Sequence, residues 1–183
     1  LLGSGSFGNV YLVKRTDDGS LVAFKDQLPP SMTELVKLKE EAKLQMKVDS
    51  RFVVRCETSF NVDLHFCMLI EACPHGELGK WIKRSVDDGT PPDLWRVLAE
   101  CVTGLVHIHS ALIMHRDIKP ENVFVGEHFV MKIADFGLAR QLKSAESLWR
   151  EDCAGTPGYF APEIDRALKA NNARDREGHG LKA

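Results

Sequence analysis

The sequence predicts an α+β fold with two unlike halves, and three observations carry that reading. Residues 9–26 hold two strand-forming runs, Val10/Leu12 and Leu21/Val22/Phe24, around the turn signal Thr16-Asp17-Asp18-Gly19. A stretch with helical periodicity over 31–48 follows, then two further strand-like runs at 52–60 and 64–70. From about residue 77 the pattern changes to helices, then to short strands separated by charged loops.

Each element has a local reason. Pro29-Pro30 ends the hairpin, because proline cannot donate to a ladder. Ser31 with Glu34 three residues later has the form of a capping box. Leu35, Leu38, Ala42 and Met46 then recur at three to four residues, which predicts a helix with one apolar face. Glu77–Arg84 reads as a short helix. Asp93–Ser110 reads as a longer one with Leu94, Val97, Leu98, Cys101, Val102, Leu105 and Ile108 on a single face. Residues 111–140 alternate short strands with charged loops. Residues 141–163 are polar and loop-like, a length usually functional or disordered. Residues 169–183 read as a tail.

Composition excludes several classes. A chain of 183 residues is one domain's worth, and 44% hydrophobic residues suffice for a core. Lys+Arg at 24 against Asp+Glu at 26 leaves a formal charge of −2, without the basic excess of a nucleic-acid binder. The longest apolar run, Phe66–Ile70, falls far short of the ~20 residues a membrane helix needs. Five cysteines at 56, 67, 73, 101 and 153 form no C-x-x-C pair and no zinc spacing. Reduced thiols and an intracellular, cytoplasmic setting are the expectation. Leu1 abuts the first motif, so the natural start is expected to lie upstream.

That motif is Gly3-Ser4-Gly5-Ser6-Phe7-Gly8-Asn9-Val10, a G-x-G-x-x-G-x-V run. Glycines let backbone N–H groups approach phosphate closely, although a turn-rich hairpin would use them equally well. A dinucleotide-binding fold needs a helix after the glycines. Here a strand follows, which favours a hairpin lying over a nucleotide. Lys25 in Val22-Ala23-Phe24-Lys25 is a lysine inside an apolar strand: either a snorkelling edge residue or a phosphate ligand. His115-Arg116-Asp117-Ile118-Lys119-Pro120-Glu121-Asn122 groups a carboxylate, an ammonium and an amide within six residues, and Asp135-Phe136-Gly137 follows 18 residues after Asp117. Four such motifs in this order leave no room for chance.

Together these motifs resemble the eukaryotic protein kinases from Leu1 to about Ile164. Lys119 after His-Arg-Asp is the serine/threonine form. Asn122-Val123-Phe124-Val125 and Gly137-Leu138-Ala139-Arg140 are similar to the NIMA-related kinases. The resemblance implies a two-lobed fold. Residues 1–70 form an N-lobe of antiparallel sheet plus one helix, 71–76 a hinge, and 77–164 a mostly helical, partial C-lobe. It implies ATP and Mg²⁺ as cofactors and protein Ser/Thr hydroxyls as acceptors, with no nucleic-acid partner.

Roles carry over residue by residue. Leu2, Gly3, Gly5 and Gly8 cover the nucleotide. Val10 and Ala23 pack over adenine and Phe124 beneath it. Lys25 holds the α/β-phosphates and pairs with Glu41, or with Glu40 if the helix register differs by one. Ile70 guards the hinge, where the backbone of Glu71-Ala72-Cys73 bonds adenine. Glu77 either reaches the ribose or serves as a helix N-terminal charge. Asp117 is the base and Lys119 neutralises the transferring phosphoryl group. Asn122 and Asp135 bind Mg²⁺, which prefers hard oxygen ligands.

Residues 138–160 match an activation segment closed by Ala161-Pro162-Glu163. Thr156 is expected to bond Lys119 or Asp117. Asp152 occupies the position of the usual phosphothreonine, where it either substitutes partly for phosphate opposite Arg116 or is an ordinary solvated acid. Ser144 and Ser147 are candidate phosphosites. After Glu163 the family's Asp-x-Trp-x-x-Gly helix does not follow, and 165–183 form an atypical tail. The alternatives are therefore a working kinase domain and an inactive fragment or ATP-binding pseudokinase scaffold.

Overall fold

The computed structural model describes residues 1–5, 8–143, 154–166, 168 and 169. In chain order they form β1 (Gly3–Gly5), β2 (Gly8–Lys14), β3 (Leu21–Gln27), α1 (Met32–Met46), β4 (Cys56–Val62) and β5 (His65–Glu71). Then come β6 (Gly76–Glu77), α2 (Leu78–Asp87), α3 (Leu94–Ser110), β7 (Ile113–Met114), β8 (Val123–Val125), β9 (Met131–Ile133) and β10 (Arg140–Gln141). Residues 162–166 form a further helical turn.

β1–β5 make one antiparallel sheet in the order β1-β2-β3-β5-β4. The register sets Lys25 opposite Val10 and Met68, and Ala23 opposite Leu12 and Ile70. α1 lies on this sheet through Leu38 and Ala42, which pack on Cys56, Phe66 and Met68 with Leu35 and Ile70 at the rim. The helix begins where expected: Ser31 is its N-cap and its Oγ accepts from Glu34 N at 3.2 Å. The other half of the box does not form. Glu34 bonds Lys37 Nζ at 2.7 Å instead.

α1 is less regular than its periodicity implied. Met46 is exposed, whereas Glu41, Leu44 and Gln45 are buried. The cause is that α1 meets two cores. Leu44 belongs to a second cluster with Val48, Val53, Ile108, Ile113, Ile133 and Phe136, which joins α1 to the later half of the chain.

The strand expected from residue 52 starts instead at Cys56. Residues 52–54 are claimed by β9: Val53 bridges Ile133, Ile133 N donates to Phe52 O at 2.9 Å, and Val54 N donates to Ile133 O at 2.8 Å. Gly104 of α3 permits this approach, because a Cβ there would lie 2.8 Å from Phe52 O. β6-β8-β9 and β10-β7 form two small antiparallel sheets beneath.

α3 departs from the single buried face. Gly104 and Ile108 are buried, and Val97, Cys101 and Leu105 pack partly against the cores. Leu94, Leu98 and Val102 are exposed among the described residues, as are Trp95 and Val106. The apolar set is wider than the strip that β7–β9 cover. No helix among the described residues is long and apolar enough to cross a membrane.

Candidate active site

Three structural units bring the predicted residues together. The first is β3 against α1. Lys25 and Glu41 are separated by 16 residues, yet Lys25 Nζ donates to Glu41 Oε1 at 2.6 Å. Glu41 is 6% exposed and Lys25 23%. Burial by itself would push the Lys25 ammonium down, but the charge and hydrogen bond of Glu41, with Asp135 nearby, raise it above the ordinary lysine value. Glu40, the alternative partner, pairs with Lys43 at 3.8 Å and its side chain is 44% exposed.

The second unit is the loop after β7. Asp117 is buried, and its carboxylate accepts from Thr156 Oγ1 at 2.6 Å and Asn122 Nδ2 at 2.9 Å. Lys119 Nζ lies 2.9 Å from the same carboxylate and donates to Thr156 Oγ1 at 2.7 Å. Thr156 therefore bonds both Lys119 and Asp117, not one of them. Burial raises the Asp117 carboxyl, but the bonds from Thr156, Lys119 and Asn122 outweigh it and hold it below the usual aspartate value.

The third unit is the turn after β9. Asp135 has φ +63° and Arg116 has φ +69°, both in the left-handed region that non-glycine residues seldom adopt. His115 ties the two loops. Its Nε2 donates to Ala134 O at 2.9 Å, and its Nδ1 accepts from Asp117 N at 3.4 Å. Its ring stands edge-on to Phe136, 5.0 Å between centroids. Burial lowers the imidazole's pKa, so His115 is a neutral strut rather than a charge. Ala134 N completes the seam to Asn122 O at 2.8 Å.

The glycine hairpin lies across β3. A Cβ on Gly8 would collide with the Asp26 carbonyl, so Gly8 owes its identity to close approach, whereas Gly3 has open space. Leu2 N donates to Val10 O at 2.7 Å and continues the hairpin. Gly5 closes β1, and the two residues at its tip, Ser6 and Phe7, lie outside the described residues. Ala23 is buried, and Val10 and Phe124 are half-buried.

At the junction after β5, the Glu71 carboxylate is already committed. It pairs with Lys132 Nζ at 2.9 Å and accepts from Arg55 N at 3.2 Å, while the Glu71 N–H donates to Arg55 O at 2.8 Å. Burial, then the Glu71 charge, push the Cys73 thiol up to about 12. Glu77 is the N-cap of α2, and its side chain pairs with Lys80 at 2.6 Å.

Lys132 is a residue that the sequence reading passed over. It is buried on β9 and also donates to Arg51 O at 2.7 Å. The signal was present, a lysine between apolar neighbours in Met131-Lys132-Ile133, the same signal that singled out Lys25. Arg116 Nε donates to Leu138 O at 2.7 Å. Ser144, Ser147 and Asp152 lie outside the described residues, and so does any pairing of Asp152 with Arg116.

The oxygen set fits a hard divalent cation. Both bonds given by Asn122 Nδ2 go to Asp117, to its backbone O at 2.8 Å and its carboxylate at 2.9 Å. Among the described residues Asn122 Oδ1 accepts no hydrogen bond, and Asp135 accepts only a long one, from Gly137 N at 3.3 Å. Hard, under-used oxygens suit Mg²⁺.

Comparison with known proteins decides the family. The family model described as "Protein kinase domain" matches residues 1–176. The chain belongs to the protein kinase family. This kinase domain is similar to the probable serine/threonine-protein kinase nek2 of Dictyostelium discoideum, 35% identical over 184 residues. That match covers 95% of this chain and 44% of the relative. It is also similar to the serine/threonine-protein kinase Nek5 of Mus musculus, 34% identical over 183 residues, covering 96% of this chain and 28% of that one. The serine/threonine-protein kinase hippo of Drosophila melanogaster is 33% identical over 165 residues, covering 89% and 24%. The chain thus spans less than half the length of these curated relatives. The likeness to NIMA-related kinases agrees with the nek2 and Nek5 matches.

Proposed function

We propose that this kinase domain transfers the γ-phosphoryl group of ATP to serine or threonine hydroxyls of protein substrates. The observation that carries the proposal is the Asp117–Thr156–Lys119–Asn122 network standing with the Lys25–Glu41 pair. Phosphoryl transfer asks for positioning and for positive charge where oxygens gather negative charge, more than for a covalent nucleophile. These residues supply that.

Lys25, kept charged by Glu41, would bind the α/β-phosphates under the glycine hairpin of Gly3, Gly5 and Gly8. Leu2, Val10, Ala23 and Phe124 would enclose adenine, with backbone groups of Glu71 and Cys73 bonding its edge. Asn122 and Asp135 would hold Mg²⁺, which supplies counter-charge to the phosphates when bound. Asp117, with its low pKa, is a weak proton acceptor. Its work is therefore to orient the attacking hydroxyl by accepting its hydrogen bond, taking the proton as that oxygen loses electron density. Lys119 would neutralise the moving phosphoryl oxygens. Thr156 fixes the spacing of Asp117 and Lys119 and marks where the acceptor hydroxyl arrives.

Residues 1–70, 71–76 and 77–164 are read as N-lobe, hinge and the beginning of a C-lobe. Arg116 is read as a regulatory residue. Free thiols at Cys56, Cys67, Cys73 and Cys101 suit a reducing, cytoplasmic setting. A pseudokinase scaffold is the less favoured reading, since the chain carries Lys25, Glu41, Asp117, Asn122 and Asp135 and its relatives are serine/threonine kinases. The test is Mg²⁺-ATP-dependent labelling of a generic protein substrate, with Asp117→Asn as control. Labelling that the control abolishes supports the proposal. Folded protein that gives no labelling above the control refutes it for this chain.

A further inference from the structure

α1 carries Glu41, so whatever fixes α1 fixes the charge state and place of Lys25. Its C-terminal end is held by a contact outside the site just described. Lys47 is the C-cap of α1 (φ −76°, ψ −18°), and its backbone N–H bonds Gln45 O and Leu44 O. Its side chain leaves the helix and donates from Nζ to Gln141 Oε1 at 2.6 Å, across 94 residues of sequence.

Gln141 is fully used. While Oε1 takes the Lys47 ammonium, Nε2 donates to Ala111 O at 3.0 Å and Leu112 O at 2.9 Å. Those two carbonyls form the turn between α3 and β7, where Leu112 has φ +55°. A β-carbon residue held there needs outside support, and Leu142 N adds a bond to the same Leu112 O at 2.7 Å. Gln141 also sits in the β10–β7 ladder opposite Ile113, and His115 follows β7 directly. One amide side chain thus joins the end of α1, the turn that launches the Asp117 loop, and the strand that opens residues 142–163.

We propose that Gln141 is a positioning residue: with Lys47 it forms a joint that couples the segment after β10 to the Lys25–Glu41 pair. A shift of β10 would carry Gln141 away from Lys47 and release the helix end. A shift of α1 would unload the 111–112 turn. The inference rests on the kinase reading for its catalytic consequence, but the joint itself is a physical coupling that can be measured without it.

Two measurements test it on the 183-residue chain. In phosphotransfer kinetics, Lys47→Met is expected to lower kcat about fivefold, the worth of one hydrogen bond, and Gln141→Leu about tenfold. KM for ATP should move less than kcat. The double variant should be no worse than Gln141→Leu alone, because both changes remove the same contact. Lys47→Arg should restore kcat to within about twofold. In amide hydrogen exchange, Gln141→Leu should cut protection of residues 38–46 about fivefold, while β4 and β5 keep theirs.

Losses that multiply in the double variant, or α1 protection unmoved by Gln141→Leu, overturn the joint. Lys47 is a surface side chain, so its variants remain folded even where Gln141→Leu does not, and α1 protection unmoved by Lys47→Met is likewise fatal. If wild-type protein transfers no phosphate beyond the Asp117→Asn control, the kinase reading fails, and hydrogen exchange decides the joint independently.

Discussion

Replacing Glu41 by glutamine removes a charge and little else. At 2.6 Å, with an effective dielectric of about 20, the Lys25–Glu41 attraction is about 6 kcal/mol in gross terms. Most of that offsets the burial of both charges. What the variant loses is better judged from the charge left behind. Breaking a fully buried pair costs about 3–5 kcal/mol. Lys25 keeps 23% exposure and the nearby Asp135, so about 2–3 kcal/mol of stability is expected here.

Without Glu41, burial dominates and the Lys25 pKa falls, which should weaken the phosphate binding proposed for it at neutral pH. Loss of one positioned electrostatic contact of this kind lowers kcat about 100- to 1,000-fold. Urea unfolding and steady-state kinetics, run on Glu41→Gln, Glu40→Gln and Lys25→Met, measure both effects. Glu40→Gln should change stability by less than about 0.5 kcal/mol. Lys25→Met with Glu41→Gln should cost less than the two added, because they share one interaction. A Glu41→Gln protein with wild-type kcat, or one matched by Glu40→Gln, would refute the reasoning.

Other consequences can be checked alongside. The Asp117 pKa is depressed on folding, so its contribution to stability is present above the unfolded carboxylate range and is lost as pH falls through the lower folded value. A kcat profile over pH 5–9 should accordingly show no ionisation of Asp117, and Thr156→Val should move its apparent pKa upward. Gly104→Ala should destabilise the protein by about 1–3 kcal/mol in thermal or urea unfolding. Alanine ordinarily favours a helix interior, but here the added Cβ meets Phe52 O at 2.8 Å and Ile133 at 3.0 Å. Cys56, pushed up to about 11, and Cys73, pushed up to about 12, should both label slowly with iodoacetamide at pH 8 until the protein is unfolded.

The vocabulary of the proposed site was legible in the sequence because it is local. Asp117, Lys119 and Asn122 sit within six residues, and a loop of that length fixes its own geometry once it is tied at both ends. The β2–β3 hairpin and the N-cap at Ser31 were legible for the same reason, since turn and capping chemistry act over a few residues. What the tertiary structure decided is what spans the chain. The partner of Lys25 is Glu41 rather than Glu40 because α1 meets both the sheet and a second core, which buries one glutamate and leaves its neighbour half-exposed beside Lys43. Residues 52–54 leave the first sheet because β9 offers them unpaired backbone and Gly104 makes room. Lys132, Gln141 and Lys47 carry no motif, and their bonds run to residues about 30 to 90 positions away. Periodicity reports which faces are apolar, but only packing determines which polar groups end up buried together, and burial is what gives a charge its strength.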